Sequence, residues 1–134
     1  MTADTILEVE KLFPIWFDPV GKGRTPMCAA LQQAAELLAG FLIQYPNCFP
    51  PVVMNFSDGA ATDGDPTPHA ETLRGLSSSD GNLLLFNAYL SSREIAPIEY
   101  PDRDSLLPGD HARRLFRMSS VLPPKLLAGA AQLG

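Results

Sequence analysis

Concentrated positive charge is the first thing this chain does not have. Its ten Lys and Arg against fifteen Asp and Glu leave a net charge of −5 and a pI near 4.8. Phosphate backbones call for a clustered Lys/Arg footprint, so nucleic acid is not an expected partner. The nearest thing to a cluster, Arg113, Arg114 and Arg117, reads as one solvated helix side. Long apolar runs are missing too. None reaches the roughly eighteen residues needed to span a bilayer, and no basic segment followed by an apolar stretch opens the chain, so neither a membrane partner nor a secretory signal is expected. Cysteine is scarce: Cys28 and Cys48 bracket a helical pattern that would hold them roughly 25 Å apart, beyond the roughly 7 Å that a disulfide spans. Two unpaired thiols without a Cys-x-x-Cys neighbour predict a cytoplasmic protein with no zinc or redox site.

The residues of catalysis are equally sparse. His69 and His111 lie far apart and belong to no ligand spacing. Ser57 lacks the Gly-x-Ser-x-Gly frame of a nucleophile elbow, and Gly21-Lys22-Gly23 completes neither a phosphate loop nor a dinucleotide fingerprint. The expectation is a protein that is not an enzyme.

What is present is a chain with 46% hydrophobic residues, enough for the core of one modest domain. Met27, Ala30, Leu31, Ala34, Leu37, Leu38, Phe41 and Leu42 recur at helical spacing between Pro26 and Gln44. Thr25 is placed to cap that helix, with Pro26 at its first position. Pro46, Pro50 and Pro51 end it and lead into an apolar strand, Val52 to Phe56, whose continuous apolarity implies cover on both faces. Leu38 and Phe41 are expected to pack on that strand. A helix opens at Pro68, capped by Thr67 and running to Leu76. Strands are expected over Asn82 to Leu90 and Ile95 to Tyr100, then helices over Pro108 to Ser119 and Lys125 to Gln132. Met1 to Glu10 reads as a helical or frayed lead. Leu12 to Phe17, broken by Pro14, reads as an edge segment. Alternating strands and helices predict a single α/β domain over residues 1–134, Rossmann-like, with a mostly parallel sheet and helices on both faces; residues 1–18 form its lead or edge segment.

The most informative stretch runs from Val52 to Asp65. There a buried-type strand ends in Ser57-Asp58-Gly59, and two further carboxylates, Asp63 and Asp65, follow among glycines. In open α/β sheets ligands collect beyond the carboxyl end of a strand, and a carboxylate there suits a hard cation such as Mg²⁺. The same residues are also ordinary turn formers.

Taken with Gly21-Lys22-Gly23-Arg24-Thr25-Pro26-Met27 and the helix that follows, this stretch resembles the von Willebrand factor type A (VWA) family, over about Pro19 to Leu122. Asp80-Gly81-Asn82-Leu83-Leu84-Leu85-Phe86-Asn87 is similar to that family's next strand. The resemblance implies a metal-ion-dependent adhesion site with Thr25 and Asp58 as metal ligands, Mg²⁺ as cofactor, and a protein partner that offers a carboxylate. The Asp-x-Ser-x-Ser motif of the family's first strand does not occur, and Arg24 stands where the family commonly has glycine. The resemblance therefore implies the C-terminal portion of such a domain, with a partial site. It also implies that the strand from Val52 lacks its neighbour, so that a second copy, the segment Leu12 to Phe17 folding back, or a separate polypeptide would cover the open edge; a homodimer is expected, with Leu12 to Phe17 or the edge of Val52 to Phe56 at its interface. A second class of function is a small metal-assisted hydrolase in which Asp58, Asp63 and Asp65 converge on a metal beside His69.

Overall fold

The computed structural model describes Pro14, Asp18 and residues 20–132. The expected lead, Met1 to Glu10, and all of the segment Leu12 to Phe17 but Pro14 lie outside the described residues. Helix α1 (Met27–Gln44) starts directly after Pro26 and breaks before Pro46. It buries Met27 and Leu31, with Ala34, Ala35 and Leu38 along the margin of the core. Strand β1 (Val52–Ser57) follows. Helix α2 (Thr67–Gly75) then leads into a minimal antiparallel hairpin of β2 (Ser77–Ser78) and β3 (Gly81–Asn82), and β4 (Leu84–Tyr89) returns beside β1. A single 3-10 turn (Asp104–Leu106) precedes α3 (Gly109–Met118), and α4 (Pro124–Ala131) is the last described element.

The strands β1 and β4 run parallel, with Val52 opposite Leu84 and Ser57 opposite Tyr89. Residues from α1, α2 and α3 meet Leu85 and Val53 in one cluster, so these three helices share one face of the strand pair. Leu73, Leu83, Leu85, Leu115 and Met118 are almost entirely withdrawn from solvent there. The fold is thus mixed α/β with a parallel strand pair and flanking helices, and among the described residues that sheet has only two strands.

Several expectations are corrected by this arrangement. Strand β1 is not covered on both faces. Val53, Asn55 and Ser57 are half-buried, whereas Val52, Met54 and Phe56 are 49%, 65% and 65% exposed. Ile95 to Tyr100 forms no strand and is exposed throughout, because nothing apolar in the described fold packs over it. Leu38 is only partly buried, packed against the core cluster, and Phe41 remains 40% exposed, outside that cluster. Arg114 and Arg117 are not merely solvated. Arg117 pairs with Asp104 at 2.8 Å, and Arg114 donates to the Gly59 carbonyl.

The two edges of the sheet differ. Leu85 N–H donates to Ser120 Oγ at 2.9 Å and its carbonyl accepts from Ser120 N–H at 2.7 Å, so the chain after α3 covers the outer edge of β4 in part. No described strand covers the outer edge of β1. Because Leu73, on the core face of α2, is fully buried, Leu73→Ala should lower unfolding free energy by about 2–5 kcal/mol in urea titration, the range for large-to-small core changes.

Candidate functional site at the carboxyl end of the first strand

The loop leaving β1 is built from turn chemistry in which each carboxylate has its own backbone partner. Asp58 Oδ1 accepts from Ala60 N–H at 3.0 Å, and Ser57 Oγ accepts from Gly59 N–H at 2.9 Å. Gly59 has φ +79°, and a Cβ on it would stand 2.7 Å from the Cβ of His111. Only glycine suits both the turn and the approach of α3.

Asp63 reaches back to the start of α1, accepting from Cys28 N–H at 3.1 Å and Ala29 N–H at 2.9 Å. The first N–H groups of a helix have no partner within the helix, and this carboxylate supplies one from 34 residues along the chain. The expected cap, Thr25, makes no capping side-chain bond. Its carbonyl instead accepts from Met27 N–H and Thr62 N–H, both at 2.9 Å, which ties the helix start to the loop. Asp65 does the same for α2, accepting from the backbone N–H and hydroxyl of Thr67 at 3.0 and 2.8 Å, so Thr67 is not that helix's cap either.

These bonds set the electrostatics. The Ala29 N–H above all, with that of Cys28, holds the Asp63 carboxyl below its ordinary 3.8, and the Thr67 N–H and hydroxyl hold Asp65 down likewise. Burial pushes the Cys28 thiol up, and the neighbouring Asp63 carboxylate adds to this. Cys28 is therefore an inert packing thiol at neutral pH. Both cysteines are free.

Thr25 and Asp58, far apart in sequence, line one open cleft of about 480 Å³ at the tip of β1, together with Asn55, Ser57 and the apolar Met27 and Phe56. Asn55 was not singled out by sequence reasoning. Its amide donates to Asn87 Oδ1 at 2.9 Å across the strand pair, and Asn87 donates in turn to Ser119 Oγ at 2.9 Å and to the Leu115 carbonyl at 3.1 Å. This ladder fixes the floor of the cleft against α3. A polar residue in the middle of an apolar strand is the one signal in the sequence that could have marked it.

Asp63 and Asp65 do not join Thr25 and Asp58 in the cleft, and His69 lies on α2. Among the described residues, no three His, Cys, Asp or Glu side chains are grouped to hold a metal. The convergence that a three-carboxylate hydrolase needs is not formed. No helix among the described residues is long and apolar enough to cross a membrane. Compared with protein families, curated proteins and solved structures, the chain matches none.

Asp63 has a depressed folded-state pKa, so its stabilising contribution is complete above the ordinary value of 3.8 and is lost as pH falls through the lower folded value. Asp63→Ala should melt at a lower temperature than the parent at neutral pH, with the gap narrowing below pH 3.8; thermal melts by circular dichroism across that range check it. Gly59→Ala combines a left-handed backbone with the close approach of His111. It should destabilise by at least about 1–2 kcal/mol, measurable in the same urea titration as the core variant.

Proposed function

We propose that the chain is a non-enzymatic interaction module of the VWA type, with a Rossmann-like arrangement, in which Thr25 and Asp58 hold Mg²⁺ and the metal takes a carboxylate from a protein partner. One observation carries this reading: the hydroxyl-bearing Thr25 and the carboxylate-bearing Asp58 line one cleft at the carboxyl end of a parallel strand. Ligands collect at that end of such sheets. The donor set suits the ion. Thr25 and Asp58 offer hard oxygens, and Mg²⁺ characteristically keeps several waters beside one or two protein ligands. Bound there, Mg²⁺ would supply a hard centre with positions open to a partner's carboxylate.

Asp63 and Asp65 serve helix starts instead, which leaves the hydrolase reading without its ligands. Two free thiols support a cytoplasmic setting. The edge of β1, bare among the described residues, supports self-association as a homo-oligomer.

Calorimetric titration with Mg²⁺ and with Mn²⁺ tests the metal. Binding heat is expected from the parent chain and none from Asp58→Ala. Absence of heat in the parent chain, or heat that survives the substitution, would overturn the assignment.

A further inference from the structure

We infer that the edge of β1 left open among the described residues is a homodimer interface, in which two copies pair antiparallel about a two-fold axis with Met54 facing Met54 of the partner subunit. This rests on the reading of the chain as a self-associating module and specifies how it associates. Leu84 N–H donates to the Pro51 carbonyl and Leu90 N–H to the Ser57 carbonyl. Backbone groups alternate in direction along a strand, so the odd-numbered residues of β1 point toward β4, and Val52, Met54 and Phe56 point their N–H and C=O groups to the free edge. The same three residues carry the exposed apolar side chains.

An antiparallel pair centred on Met54 sets Val52 opposite Phe56 of the partner subunit, and each such pair exchanges both of its N–H···O bonds. Every outward backbone group of β1 is then partnered. Paired residues also share a face, so the side chains form apolar cross-strand contacts of β-branched and aromatic residues.

Three features favour a second copy as the occupant. The strand Val-Val-Met-Asn-Phe-Ser holds no charge and no proline, which are the usual devices that keep an edge from pairing with its like. Asp58, just beyond the strand, would stand roughly 25 Å from Asp58 of the partner subunit in the antiparallel arrangement, whereas a parallel one would set the two carboxylates side by side. The third feature lies on α1. Ala30 lines the cleft beside Phe56, and Leu37 and Phe41, seven and eleven residues on, continue that flank with 69% and 40% exposure. A two-fold axis normal to the sheet keeps both copies of α1, with these exposed apolar side chains, on one face of the paired strands.

Light scattering of the full chain, with Met54→Pro and Met54→Lys, tests the interface. Proline at 54 removes an N–H that faces away from β4, so the β1–β4 ladder is kept; lysine places a charge on the edge without touching the backbone. The parent chain is expected at twice 14.5 kDa, and both variants at the single mass with unchanged circular dichroism and cooperative melting. A parent chain that is monomeric at micromolar concentration would overturn self-association itself, and one that forms larger species would overturn a closed pair. A parent dimer that persists in both variants would leave association standing and overturn this interface. Should the proline variant fail to fold, the lysine variant decides.

Discussion

The parallel pairing of β1 with β4 is the constraint on which the rest of the molecule depends. A parallel pair cannot be closed by a tight turn, so the chain must travel out and back between its strands. Here it does so through the Asp-rich loop, α2 and the small hairpin. That excursion carries Asp63 to the start of α1 and Asp65 to the start of α2. It also brings Ser57 and Asp58 to the cleft that Thr25 lines from the other side. The site is a consequence of the crossover.

The same pairing leaves the sheet unequal. One face takes three helices and becomes the core; the other keeps Val52, Met54 and Phe56 in solvent. One edge is partly closed by Ser120, and the other is bare among the described residues. Apolar side chains and unpaired backbone groups thus coincide on β1. Their coincidence, more than either alone, supports an interaction role, because association relieves both costs together.

The Asn55–Asn87 contact deserves a place beside the acidic loop. Within an apolar sheet, a polar pair is tolerated when its groups are hydrogen-bonded. Asn87 meets this through Ser119 and the Leu115 carbonyl, while Asn55 links the pair to the cleft. The ladder also ties the two strands to the end of α3 in a fixed register, since a slip by one residue would turn these amides to the opposite face.

Much of this fold was legible in the sequence because its signals are local. Prolines 26, 46, 50 and 51 punctuate α1 and β1 whatever surrounds them, since a missing N–H and a fixed φ act at the residue itself. The spacing of Met27, Leu31 and Leu38 marks a core face, and Gly59 marks a turn, for equally local reasons. The acidic loop was legible as chemistry but not as partnership. Thr25 precedes α1 and has the right side chain, yet the cap comes from Asp63, which only the crossover brings within 3.1 Å of the helix start. Covered faces were likewise not readable, because the apolar run of β1 is the same whether a neighbour lies against it or not. The sequence by itself determined where α1 and β1 begin and end and which residues are able to serve as ligands or caps, though not that Ile95 to Tyr100 forms no strand. Only the tertiary structure decided which carboxylate meets which N–H, and which face of β1 stays in water, because both depend on contacts between segments that local chemistry does not specify.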